Sequence, residues 1–166
     1  YHLFEYYGHE AAEKLIIIMG SGAGTVKETV DYLNKQGEKT GVLVIRLFRP
    51  FSIADFMDAI PRSVQQIAVL DRSKDPNGIG EPLYMDVVNA LNDTESDFHP
   101  RIIGGRYGLS SKEFTPAMVL SIFKELEKES PKKHFTVGIE DDVTHLSLDY
   151  DPHFSLDSQH LFRGLF

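Results

Sequence analysis

The stretch that decides the fold is Lys14-Leu15-Ile16-Ile17-Ile18-Met19-Gly20-Ser21-Gly22-Ala23-Gly24-Thr25. Its apolar run, Leu15 to Met19, is the longest in the chain and far short of the roughly 20 residues a membrane-spanning helix needs. A continuous run of this length, without polar alternation, belongs to a strand covered on both faces, as in a parallel sheet. The glycine turn follows at once and opens a helix to about residue 36. On that helix Val26, Val30 and Leu33 share one stripe, and Gly37 stops it. A doubly covered strand feeding a helix through a tight turn is the opening unit of an α/β sheet.

Outward from that unit the alternation repeats. Residues 42–47 read as a second strand, broken by Arg49-Pro50-Phe51. Ser52 then caps a short helix carrying Ile53, Phe56, Met57 and Ile60, which Pro61 ends. Residues 67–70 form a third strand closing on Asp71-Arg72, and the turn Asp75-Pro76-Asn77-Gly78 sits in the loop behind it. Pro82 opens a helix with Leu83, Val87, Val88 and Leu91 inward. Residues 101–103 make a fourth strand running into a flexible segment, Gly104-Gly105-Arg106-Tyr107-Gly108. Thr115-Pro116 opens a last helix with Met118, Val119, Ile122, Phe123 and Leu126 buried and Glu125, Glu127 and Lys128 solvated. Residues 135–137 are a fifth strand at an edge. The pattern predicts a three-layer α/β sandwich with a mostly parallel five-stranded sheet.

Composition sets the outer limits. With 166 residues, 42% hydrophobic and 25% charged, the chain is sized for one globular domain. It has no cysteine, which excludes a disulfide framework, a thiolate zinc site, an internally ligated iron–sulfur cluster and a cysteine nucleophile. The net charge of −8 argues against a general grip on nucleic acid or an anionic membrane. That charge is uneven: sixteen of the seventeen Lys and Arg precede residue 134, while six acids and one cation follow it. We therefore divide the chain into a globular part, residues 1–139, and an acidic extended arm or linker, residues 140–166. A start at Tyr1 without Met and an apolar end at Leu165-Phe166 read as a piece of a longer chain.

Candidate functional residues lie mostly at strand C-termini, where open α/β sheets place ligands. Gly20-Ser21-Gly22-Ala23-Gly24 could cradle a phosphate on a helix N-terminus, or could be a tight corner that needs small residues. The third glycine falls one residue early for G-x-G-x-x-G, and Arg46 and Arg49 stand where an acidic residue is expected. Asp71-Arg72 reads as an ion pair closing a strand or as part of a ligand site. A nucleotide or coenzyme A subsite would use Gly22, Gly24, Arg72 and Arg106. Arg106 and Tyr107 could instead meet a protein surface. Glu140-Asp141-Asp142 lacks the alternate spacing of a calcium loop and reads as a partner-pairing turn. His145, His153 and His160, with Asp149, Asp151 and Asp157, match no compact metal spacing. No G-x-S-x-G, Walker loop or H-E-x-x-H occurs. The residues by themselves declare no reaction and no metal or catalytic site.

Several strings together resemble one family. They are Arg46-Leu47-Phe48-Arg49-Pro50-Phe51, Val69-Leu70-Asp71-Arg72-Ser73-Lys74-Asp75-Pro76 and Gly80-Glu81-Pro82-Leu83-Tyr84. The most specific is Gly104-Gly105-Arg106-Tyr107-Gly108-Leu109-Ser110-Ser111-Lys112-Glu113-Phe114 with Pro116-Ala117-Met118-Val119 after it. His134-Phe135-Thr136-Val137-Gly138-Ile139-Glu140-Asp141-Asp142-Val143-Thr144 is nearly as distinctive. In this order, over residues 1–148, they resemble the transketolase C-terminal-like domain (domain II) of pyruvate:ferredoxin (flavodoxin) oxidoreductases, including forms fused for NADP reduction.

The resemblance implies a cytoplasmic parent enzyme, or one in a hydrogenosome-like organelle in some eukaryotes. It would convert pyruvate and coenzyme A to acetyl-CoA and CO2 with thiamine diphosphate, Mg2+ and 4Fe-4S clusters. Partners implied are the other domains of the same chain, a second subunit, and ferredoxin, flavodoxin or an NADP reductase module. Catalytic and cofactor residues of that family lie in other domains, so none is carried onto this chain. Its expected role is structural, with Arg106, Tyr107, Glu140, Asp141 and Asp142 as domain contacts. Two alternatives stay open: the nucleotide or coenzyme A module, and the same domain borrowed by a sulfite reductase flavoprotein.

Overall fold

The computed structural model describes residues 3–46, 51–72, 81–93, 96–108, 113–138 and 146–156. Six strands form one sheet: β1 (Phe4–Gly8), β2 (Lys14–Ile18), β3 (Thr40–Ile45), β4 (Gln66–Asp71), β5 (Arg101–Arg106) and β6 (His134–Thr136), in the order β1-β3-β2-β4-β5-β6. Four helices connect them: α1 (Ala23–Lys35), α2 (Ile53–Ala59), α3 (Pro82–Asp93) and α4 (Pro116–Glu127). Every strand pair is parallel except β1 with β3. Among the described residues no helix is long and apolar enough to cross a membrane.

The apolar run Leu15-Ile16-Ile17-Ile18 sits at the centre, all four residues fully buried. Alternation divides it between two cores. Ile16 and Ile18 join Val26, Val30 and Leu33 of α1 and Met118, Val119, Ile122 and Phe123 of α4 on one face. Leu15 and Ile17 join Phe56 and Met57 of α2 and Leu83 and Val87 of α3 on the other. This is the three-layer arrangement the sequence predicts, because a strand covered on both faces needs helices on both.

Four differences from the sequence reading have physical causes. The sheet has a sixth strand, β1, which pairs antiparallel at the edge (Phe4↔Ile45 through Gly8↔Gly41). Its Phe-Glu-Tyr-Tyr-Gly sequence is only partly buried and carries none of the apolar continuity of the central strands. Gly104 and Gly105 lie inside β5 rather than in a flexible loop. A Cβ on Gly104 would come 2.8 Å from the Tyr84 ring, and one on Gly105 would come 2.2 Å from Phe135, so the glycines make room for aromatics. Glu125 is buried, 3% exposed, although it sits among polar neighbours; its carboxylate pairs with Lys128 at 2.8 Å and accepts the Lys132 N–H at 2.8 Å. On α3, Ala90 takes the buried place beside Leu91 while Val88 stays half-exposed.

Capping follows expectation. The Ser52 hydroxyl accepts the Asp55 N–H and the Thr115 hydroxyl accepts the Met118 N–H, each opening its helix. Gly37 takes φ +93° just past α1, the left-handed conformation that ends helices.

The described part of the acidic segment runs back along the domain. Thr136 donates its N–H to Leu146 O, and Leu148 donates to Thr136 O, at 3.0 and 2.9 Å. Ser147 bridges Thr136 in parallel, which lines residues 146–148 along the outer side of β6. Leu148 and Leu156 are both 6% exposed, and the Phe154 ring meets Tyr32 edge-on at 5.5 Å.

Candidate functional site at the strand ends

The C-terminal ends of β2, β4 and β5 come together, as parallel strands require. Gly22 is the N-cap of α1, with no side-chain cap. Its position explains the small residue: a Cβ there would lie 3.0–3.1 Å from Ile18, Tyr107 and Phe114. Gly24, the second residue of α1, has nothing within 4 Å. The two glycines of the turn thus meet opposite surroundings.

Across from them, Arg72 at the end of β4 donates from Nη1 to Ser21 Oγ at 3.0 Å. Tyr107, just past β5, is 2% exposed. Its hydroxyl donates to the Met19 carbonyl at 3.2 Å, and its ring stacks obliquely on Phe114 at 4.6 Å. Burial pushes the Tyr107 phenol above its ordinary range. Ser21, Gly22, Thr25, Arg72 and Gly108 line a cavity of about 360 Å3 with Glu113 and Phe114.

Asp71 and Arg72 do not pair with each other, because successive residues of a strand face opposite sides of the sheet. Asp71, 7% exposed, turns toward α3 and accepts the N–H groups of Leu83 and Tyr84 at 2.9 and 3.2 Å. It is a helix cap supplied from a strand. Burial pushes its carboxyl up to about 6 against the pull of those two donors. Arg106 lies on the same side as Asp71, with Nε 3.5 Å from Glu81 Oε1 and both side chains nearly enclosed.

The sequence-predicted residues therefore divide. Gly22, Arg72 and Tyr107 share the cavity. Arg106 lies on the opposite side of the sheet, paired with Glu81. Gly24 belongs to the helix, and Tyr107 faces inward as a strut. Glu140, Asp141 and Asp142 lie outside the described residues, as do Arg49, His145 and His160. Arg46 is engaged by Glu5. Ser21, Thr25, Glu113 and Phe114 were not singled out by sequence. Only Ser21 had a signal, its place in the glycine turn, because sharing a cavity depends on strand order. Among the described residues no group of three His, Asp or Glu side chains is placed to hold a metal ion.

The chemistry of this arrangement is mostly self-directed. Each polar group at the strand ends named above ties one element to another: β4 to α3, β4 to the β2–α1 turn, β5 to the end of β2, and β5 to the start of α3.

Comparison with known proteins bears on the same residues. The pyruvate:ferredoxin oxidoreductase core domain II family matches residues 12–119. The pyruvate-flavodoxin oxidoreductase of Nostoc sp. is 55% identical over 177 residues, covering 100% of this chain and 15% of that protein. The pyruvate-flavodoxin oxidoreductase of Rhodospirillum rubrum is 58% identical over 172 residues, 100% of this chain and 14% of the relative. The pyruvate:ferredoxin oxidoreductase of Moorella thermoacetica is 49% identical over 166 residues, with 100% and 14% covered. This chain spans about a seventh of the length of these relatives. Among solved structures, 2-oxoglutarate:ferredoxin oxidoreductase from Magnetococcus marinus, with 2-oxoglutarate, coenzyme A and succinyl-CoA bound, superimposes with a TM-score of 0.54. It is 24% identical, with 77% of this chain and 20% of that chain covered, a likeness of fold.

Proposed function

Because the chain belongs to the pyruvate:ferredoxin oxidoreductase core domain II family, we propose that it is a structural and docking domain of a thiamine diphosphate-dependent pyruvate oxidoreductase. The parent enzyme would oxidatively decarboxylate pyruvate with coenzyme A and pass the electrons to ferredoxin, flavodoxin or an NADP reductase module. Thiamine diphosphate, Mg2+ and 4Fe-4S clusters would be held by other parts of that polypeptide, in the cytoplasm. The chain's own residues do not fit a 4Fe-4S cluster: without a cysteine they offer it no thiolate. No step of the reaction is routed through this domain.

The observation that carries the reading is the use made of the strand-end side chains. Asp71, Arg72, Arg106 and Tyr107 are all engaged in holding the domain's elements together. Such a domain presents a rigid body to its neighbours. Glu140, Asp141 and Asp142, with the exposed fraction of Arg106, are the proposed contacts to other domains. The test is thiamine- and coenzyme-A-dependent pyruvate decarboxylation by this chain alone. No turnover is expected, and activity above background would refute the assignment.

A second reading rests on the cavity that joins Gly22 to Arg72. It would make the strand ends a nucleotide or coenzyme A subsite without Arg106. Calorimetric titration with coenzyme A, NADP and ATP separates the two, because a purely structural domain gives no saturable heat.

A further inference from the structure

The two edges of the sheet are treated differently. At β6 the chain's own residues 146–148 lie alongside and take up the outward hydrogen-bonding groups of Thr136. At β1 no described segment pairs on the outer side. The register shows which groups are left. Arg46 N–H donates to Leu3 O, and His9 N–H donates to Thr40 O, so the odd-numbered residues of β1 form the hydrogen-bonded pairs with β3. In an antiparallel ladder the intervening residues point their N–H and C=O away from the partner. Phe4 and Tyr6 therefore present a row of backbone donors and acceptors along the free edge.

Exposed edges are normally blunted with a lysine, a proline or a bulge. β1 reads Phe4-Glu5-Tyr6-Tyr7-Gly8 and has neither lysine nor proline. Its single charge, Glu5, is drawn to Lys27 and Arg46. Beside the edge runs a groove of about 490 Å3 lined by Leu3, Phe4, Glu5, Tyr6, Asp55 and Asp58. Asp55 and Asp58 lie exposed on α2 and form no ion pair among the described residues. The groove thus brings the β1 edge with Phe4 and Tyr6 together with the carboxylates of Asp55 and Asp58.

We infer that the free edge of β1 is a strand-addition site, occupied by an extended segment bearing Lys or Arg from another part of the same longer polypeptide. Backbone pairing with Phe4 and Tyr6 supplies affinity, and Asp55 and Asp58 select the basic side chain. The source is placed in the same polypeptide because this chain spans about a seventh of its relatives' length. The inference rests on the reading of the chain as one domain of a larger protein and not on that protein's reaction. It is therefore tested by hydrogen exchange rather than turnover.

The experiment is residue-resolved amide exchange on the full-length polypeptide, with Glu5 and Tyr7 as internal references. Their N–H groups face β3 and are protected whether or not the outer edge is filled. Occupancy predicts that Phe4 and Tyr6 are protected to the same degree. The Asp55→Asn/Asp58→Lys double variant should then speed their exchange by about tenfold or more while Glu5 and Tyr7 are unchanged. Exchange of Phe4 and Tyr6 at exposed-amide rates beside protected Glu5 and Tyr7 would show an empty edge and overturn the inference. Protection that disappears on dilution would assign the edge to a second copy, and protection indifferent to the double variant would exclude a basic occupant. Either result would also overturn it.

Discussion

The carboxylate of Asp71, the last residue of β4, accepts the backbone N–H of Leu83 in the first turn of α3 at 2.9 Å. The cap reaches across the residues between strand and helix and clamps the two ends of that connection together. A helix start usually takes its cap from the residue just before it. Here the strand supplies it, so the position of α3 is tied to the central sheet.

Asp71→Ala leaves the Leu83 and Tyr84 N–H groups without this acceptor and should cost about 1–3 kcal/mol, read from urea unfolding. The group also gives a pH signature. Its carboxyl titrates at about 6 in the fold against an ordinary 3.8, so between those values the folded state holds the extra proton. Its contribution is full below about 4 and falls as pH rises toward 6. Asp71→Asn should remove that slope, and unchanged pH dependence in the variant would rule the assignment out.

Glu5 gives the opposite sign. Hydrogen bonds from Lys27, then Arg46, hold its carboxyl down at about 2. Its contribution is present above the ordinary 4.5 and is lost as pH falls toward 2. The cluster is partly exposed, so the effect is small and screened by salt. Glu5→Gln should flatten the acid limb of the stability curve at low ionic strength and change little in 1 M salt.

Gly22→Ala and Gly24→Ala should differ in sign. At Gly22 the added methyl group meets Ile18, Tyr107 and Phe114 at 3.0–3.1 Å, and overpacking of this kind costs about 1–3 kcal/mol. At Gly24 it meets nothing within 4 Å and sits in the first turn of α1, where replacing glycine gains about 0.5–1 kcal/mol. Thermal melts of the two variants check this directly. Equal effects would mean that the turn is not the packed corner described here.

Leu148→Ala examines the segment beyond β6. Leu148 is 6% exposed and belongs to the core cluster over α1 and α4. Truncating a buried leucine costs about 2–5 kcal/mol. A loss of that size shows residues 146–156 contributing to the domain's stability, whereas a change under about 0.5 kcal/mol would show a segment resting on the surface.

Much of the fold was legible because its signals are local. The run Leu15-Ile16-Ile17-Ile18 announced a doubly covered strand, and Ser52 and Thr115 announced their helices. Gly37 marked a helix end through a conformation that glycine adopts without strain. β1 was not legible, since a half-exposed edge strand is defined by its pairing with Thr40–Ile45 and not by its own pattern. Gly104 and Gly105 were misread for a related reason. Their sequence suggests a flexible segment, but the rings that require them, Tyr84 and Phe135, come from distant parts of the chain.

At the candidate site the division is the same. The sequence by itself determined that Gly22, Asp71, Arg72, Arg106 and Tyr107 stand at strand ends, because strand and turn propensities are properties of neighbouring residues. Only the tertiary structure decided what each side chain does there. The pleat sends Asp71 and Arg72 to opposite faces of the sheet. Strand order then gives Arg72 the Ser21 hydroxyl and places Glu81 beside Arg106. Those choices depend on which strands lie side by side, a relationship between segments far apart in the chain that no local pattern records.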